Sequence, residues 1–176
     1  IIDDKLEAII QPDTIQKTYT LAYNLSKGKH TVELFRRNDW NRGKTQFFGF
    51  KINNHAKLLP KAESTGRKIE FYGDSTSVGY ANEDTSGADS PLGLNTNNYL
   101  SYAALVSRHY DAKYQCICKS GTGVAVSWHP LTMNELHNRL VPTQAQSIWD
   151  FSLYQPEIVV LNLFQNDSWL VNLPEH

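Results

Sequence analysis

Three short stretches of this sequence combine small and polar residues as acyl-transfer chemistry requires: Gly73-Asp74-Ser75, Ser120-Gly121 and Asn166-Asp167. Ser75 offers a hydroxyl nucleophile. Coming after a tight glycine turn and opening a helix, it would also leave its own N–H without an intrahelical partner. Gly121 has no Cβ, so its backbone can come close to a ligand. Asn166 can donate its carboxamide to a developing oxyanion, a contact typically worth roughly 2.7–4 kcal/mol of barrier. A serine nucleophile further needs a base, normally histidine. Gly123 competes with Gly121 as the backbone donor. Asp74 reads as a carboxylate that holds the turn, and Asp167 as a loop cap.

Taken alone, Gly73-Asp74-Ser75 is equally an ordinary strand-to-helix turn with a capping side chain. Its weight comes from the elements around it. A strand is expected over Lys68–Tyr72, a second over about 113–118, and a third over 158–161, where Ile-Val-Val-Leu is apolar on both faces as in a central parallel strand. A polar, glycine-containing loop fills Tyr80–Asn98. A helix follows with Tyr99, Tyr102, Val106 and Tyr110 on one stripe, and a second carries Met133, Leu136 and Leu140 before Pro142 ends it. Strands alternating with helices argue for a parallel α/β sheet. Such sheets bind ligands beyond the carboxyl ends of their strands. All three inferred strands carry their small and polar residues at that end.

The first 60 or so residues read differently. Segments 17–23 and 30–35 alternate polar and apolar residues, and 46–52 is rich in aromatics. Turn formers separate them, at Ser26-Lys27-Gly28 and from Asn38 to Gly43. Short strands so spaced suggest a β-sandwich of jelly-roll type. A boundary is expected near residue 62, giving a β-domain over 1–62 and an α/β domain over 63–176.

The remaining chemistry-bearing residues are read more plainly. None of His30, His55, His109, His129, His137 and His176 has metal-ligand spacing with a third ligand nearby, so no metal and no cofactor is expected. Cys116 and Cys118 would share one face of a strand, where a disulfide between them would be badly strained, and they read as small core residues. Trp128 and Trp169 follow the second and third strand ends and could stack on a sugar ring; core packing is the competing reading. Trp40 is a weaker candidate of the same kind, and Trp149 reads as core. With 17 basic and 18 acidic residues and no basic block, nucleic acid and anionic membrane are poor partners. No apolar run approaches a bilayer span.

Gly73-Asp74-Ser75 after Ile69-Glu70-Phe71-Tyr72 resembles the first block of the GDSL, or SGNH, hydrolases. Gly121 stands where their second-block glycine lies, and Asn166-Asp167 is similar to their third block, with Phe164 where Gly is usual. With Gly28-Lys29-His30-Thr31-Val32-Glu33-Leu34, Phe48-Gly49-Phe50 and Gly79-Tyr80, the order of motifs is similar to the family 2 carbohydrate esterases. The resemblance implies a jelly-roll domain joined to an SGNH domain that removes acetyl groups from polysaccharides or oligosaccharides through an acyl-serine. It makes Ser75 the nucleophile and Gly121 and Asn166 the oxyanion donors. Those proteins carry their catalytic His in a late Asp-x-x-His block, absent from this sequence. The sequence starts at Ile1 and stops at His176 soon after its third strand. The α/β domain is therefore expected to be incomplete at its C-terminus, with the histidine on a further segment or a second chain. None of the six histidines present is expected on the Ser75 hydroxyl. Secretion or periplasmic export is expected. Two other readings stay open: a carbohydrate-binding protein that cuts nothing, and an SGNH esterase or lipase on non-sugar esters.

Overall fold

Apolar runs pair into a parallel sheet in the computed structural model, which describes residues 1–60, 66–87, 90 and 92–172. The strands are β1 (Lys68–Gly73), β2 (Lys113–Cys118) and β3 (Ile158–Asn162). They lie in the order β2-β1-β3, both pairings parallel, with Gly73 opposite Cys118 on one side and Asn162 on the other. The strand expected to be central, β3, is at the edge, and β1 is the middle. Continuous apolar character does not choose between these positions, because Val159 and Leu161 stay exposed while five of the six β1 residues are buried.

The pleat of β1 sorts its side chains onto two faces. Ile69 and Phe71 pack on Ala103 of α2 (Tyr102–His109). Tyr72 packs on Met133 and Leu136 of α3 (Met133–Leu136) across the sheet. The buried face of α2 is Ala103, Ala104 and Ser107, whereas Val106 and Tyr110 of the expected tyrosine stripe are exposed. Small residues there bring the helix close to the sheet. The second expected helix is shorter than its apolar spacing implied. A capping box of Thr132 and Glu135 starts α3, which ends at Leu136 with His137 as its C-cap; Leu140 is exposed, and Arg139 bridges Ile148 instead. Cys116 and Cys118 do share a face, unbridged, with their Sγ atoms 3.2 Å apart.

The chain divides into two units, Ile1–Arg36 with Thr45–Phe48, and Arg37–Lys44 with Gly49–His176. The expected boundary near 62 lies among residues 61–65, outside those described. In the first unit the strands expected at 17–23 and 30–35 and the start of the 46–52 strand form no ladder among the described residues, and the rest of that strand forms none either. The unit has isolated antiparallel bridges of Ile2 with Lys5 and Val32, and an Asp3–His30 contact of 2.7 Å. Alternation makes a segment able to pleat, but a strand exists only against a partner. Here Leu34, Phe47 and Phe48 remain more than half exposed.

Candidate active site at the carboxyl ends of the strands

The chain leaves β1 through Gly73, where a Cβ would meet Ser77 Oγ at 1.9 Å, so only glycine lets the next helix fold back this tightly. That helix, α1 (Ser75–Val78), begins at Ser75 and is capped by Asp74, whose Oδ1 accepts the Thr76 N–H at 3.0 Å. Ser75 is thus the first helical residue, and its N–H donates to no described group. Asp74 is fully buried, and burial pushes its carboxyl above the ordinary range against the opposing Thr76 bonds. The turn-holding reading of Asp74 matches this cap.

Beyond β2, Gly121 adopts φ +79°, a left-handed conformation that favours glycine, and an added Cβ would meet Trp128 Cβ at 3.1 Å. Its carbonyl accepts the Trp128 N–H at 2.9 Å, while its own N–H has no partner among the described residues. Gly123, the competing donor, gives its N–H to Ser127 Oγ at 2.9 Å. It is a packing glycine, since a Cβ there would lie 2.0 Å from the Val126 carbonyl and 2.5 Å from Asp167 Oδ2.

Beyond β3, the helix α4 (Gln165–Leu170) presents Asn166 in its first turn. The Asn166 Nδ2 donates to Asp74 Oδ2 at 3.2 Å and to the Thr122 carbonyl at 2.9 Å. One carboxamide therefore ties the residue before Ser75 to the residue after Gly121. In the orientation that satisfies its neighbours, the Gln165 amide also donates to Asp74 Oδ2, at 2.8 Å. The helix starts from Phe164 at φ +80°, the left-handed region where glycine is at ease. The phenyl in place of the usual Gly leaves the turn in a glycine-like conformation.

Asp167 takes the loop after β2 in hand. Its carboxylate accepts the N–H groups of Val124, Ala125 and Val126 at 2.9, 2.6 and 3.1 Å. Burial pushes its carboxyl up, and the three N–H bonds outweigh this and hold it below the usual range. Both Trp128 and Trp169 are mostly exposed, which removes the core-packing reading for each. Three of the described histidines bond elsewhere: His30 to Asp3 and Ser26, His129 to Thr122 and Leu131, His137 to Asn134. No hydrogen bond joins a described histidine to Ser75, and His176 lies outside the described residues.

Beside Gly121 opens a cavity of about 230 Å³ bordered by Asp39, Trp40, Tyr80, Lys119, Ser120, Trp128 and His129. Sequence reasoning missed Asp39, Lys119 and His129 here. The one available signal was that Lys119 directly follows a strand on the ligand-binding side of the sheet. Trp40, weighed as the weaker tryptophan, reaches this wall.

A parallel sheet with a capped serine turn, an open glycine N–H and a bridging carboxamide beyond its three strand ends defines an α/β protein whose ligand edge is built for anchoring a polar group. The sequence model described as carbohydrate esterase 2 N-terminal matches residues 1–61. The chain is 38% identical over 154 residues to the cellulase/esterase CelE of Acetivibrio thermocellus, covering 85% of this chain and 19% of that protein. It is 30% identical over 175 residues to an acetylxylan esterase / glucomannan deacetylase of Cellvibrio japonicus, covering 95% of this chain and 47% of that one. The chain thus spans less than half the length of these relatives. Among solved structures, a family two carbohydrate esterase from Clostridium thermocellum, in complex with cellohexaose, superposes with a TM-score of 0.58 at 40% identity. That match covers 63% of this chain and 35% of the other. A family two carbohydrate esterase from Cellvibrio japonicus gives 0.53 at 28% identity, over 64% and 33% of the two chains. Over most of its length the chain is similar to part of the family 2 carbohydrate esterases.

Proposed function

We propose that this chain supplies the nucleophile and oxyanion donors of a carbohydrate O-deacetylase that works through an acyl-serine. Ser75 Oγ attacks the acetyl carbonyl, a base takes its proton, and the sugar oxygen leaves with a proton returned by that base. Water then hydrolyses the acyl-serine by the same route. The developing oxyanion is received by the Ser75 and Gly121 N–H groups and by Asn166, whose 3.2 Å bond to Asp74 is the longer of its two and the easier to redirect. The observation that carries this reading is that the N–H groups of Ser75 and Gly121 are both unclaimed while Asn166 bridges their neighbours. The base is the histidine of the late Asp-x-x-His block that the resemblance implies. Residues 1–62 are read as the jelly-roll domain of such an esterase, in support of which the family's N-terminal model matches residues 1–61. Export to the periplasm or medium accords with a polysaccharide substrate.

The test is hydrolysis of 4-nitrophenyl acetate and acetylated xylan by the protein that carries this segment. Ser75→Ala abolishes turnover of both with an unchanged far-ultraviolet spectrum; a variant that keeps most of its activity ends the serine mechanism. The aromatic cavity wall of Trp40, Tyr80 and Trp128 favours a second reading, carbohydrate binding without cleavage. Under it the wild type binds oligosaccharide and releases no acetate.

A further inference from the structure

Lys119 is buried at the wall of the cavity, 3% exposed, with its Nζ 4.3 Å from the centre of the Trp40 ring. The ring face offsets part of the cost of burying the charge. It does not replace the acceptors that the three ammonium hydrogens want. No described group accepts a hydrogen bond from the Lys119 ammonium. Asp39 is the carboxylate beside it and its charge favours the ammonium, but its Oδ1 accepts the Trp40 N–H at 2.6 Å and its Oδ2 the Ser120 N–H at 3.3 Å. The neighbouring Ser120 Oγ is also buried without a hydrogen-bond partner among the described residues. Arg42 adds a second cation to the lining.

Resting on the carbohydrate reading above, we propose that this cavity is a subsite for a uronic acid residue, its carboxylate on the Lys119 ammonium and Ser120 hydroxyl and its ring against Trp128. A neutral sugar hydroxyl could also accept from Lys119, but a charge-assisted bond is about twice as strong. Of the two kinds of sugar, only the anionic one also offsets the desolvated ammonium charge beyond what Asp39 supplies. At about 230 Å³ the cavity is smaller than the roughly 300 Å³ at which pockets for drug-sized ligands begin, and so suits one ring rather than a chain. Trp40 is taken up by Lys119, which leaves the exposed face of Trp128 for the ring. Burial pushes the Lys119 ammonium down to about 8, so it keeps its proton through neutral pH.

The experiment is titration of the protein with methyl β-D-glucuronide, methyl β-D-glucoside and acetate, followed by tryptophan fluorescence. The glucuronide binds roughly tenfold tighter than the glucoside, as one hydrogen bond to a charged group allows. Acetate binds more weakly than the glucuronide, because it lacks the ring. In Lys119→Met the preference for glucuronide over glucoside collapses. Equal binding of the two glycosides, acetate as tight as the glucuronide, or a preference that survives in Lys119→Met each overturns the proposal. If Lys119→Met fails to fold, the wild-type comparison of glucuronide with glucoside decides alone. The readout is binding, so it is independent of whether Ser75→Ala abolishes hydrolysis.

Discussion

Asn166 holds two acceptors at once, and this sets what its removal does. Asn166→Ala lowers kcat by on the order of 10²–10³-fold with little change in KM if its amide is recruited in the transition state. Steady-state kinetics on an acetylated substrate checks this; an effect confined to KM would make Asn166 a ground-state contact. The placement of Ser75, Gly121 and Asn166 was open to sequence reasoning because each follows closely on the end of a recognisable strand. Phe164 was not. A phenylalanine stands where the resemblance leads one to expect glycine, yet Phe164 takes φ +80° and the left-handed turn is formed. The conformation is set by β3 ending and α4 beginning there, which no single residue reveals. Lys119 was passed over for a related reason, since a lysine after a strand reads as solvated until Trp40 is seen beside its ammonium.

At the scale of elements, Asp167 and the loop 124–126 form one unit. Asp167→Asn keeps one acceptor oxygen but turns an amide toward backbone donors, leaving a buried N–H unmet at a cost of roughly 1–3 kcal/mol. The pH dependence has a definite sign. The folded carboxyl titrates below its ordinary 3.8, so the unfolded chain binds more protons in that window. The stabilisation is complete above 3.8 and is lost as pH falls through the folded value. Thermal melts from pH 6 to pH 2 show a steeper acid decline for the wild type than for Asp167→Asn. Asp74 has the opposite sign, because its carboxyl is pushed above 3.8, and its contribution weakens as pH rises. The alternation of strand and helix made the sheet legible in advance. The length of α3 was not, because its start is marked by a capping box while its end depends on Arg139 pairing with Ile148.

Over the whole molecule, the sheet order puts apolar β3 at an open edge. Ile158, Val159 and Leu161 are between 37% and 70% exposed there, and one side of the strand's backbone has no ladder partner among the described residues. Such an edge templates pairing with another chain. The 176-residue chain on its own therefore self-associates as its concentration rises, and Val159→Lys shifts it toward monomer in sedimentation velocity. A wild type that stays monomeric across the same range contradicts this. Sequence pattern could not order the strands, since β1 and β3 are both apolar and only the packing of α2 and α3 on β1 distinguishes them.

The bridge from Asn166 to Asp74 joins residues 92 positions apart, and the one from Asn166 to Thr122 spans 44. A ribosome delivers these groups in sequence. When Ser75 has emerged, its turn has a helix cap but no carboxamide for the buried Asp74 carboxylate, and β1 has neither neighbour. The loop carrying Gly121 comes next, still without its tie. Only when residue 166 is free do all three stretches lock together. Ser75 is therefore among the first of these groups to be made and its turn among the last to be tied, so a nascent chain stalled before β3 holds a serine turn without its carboxamide bridge.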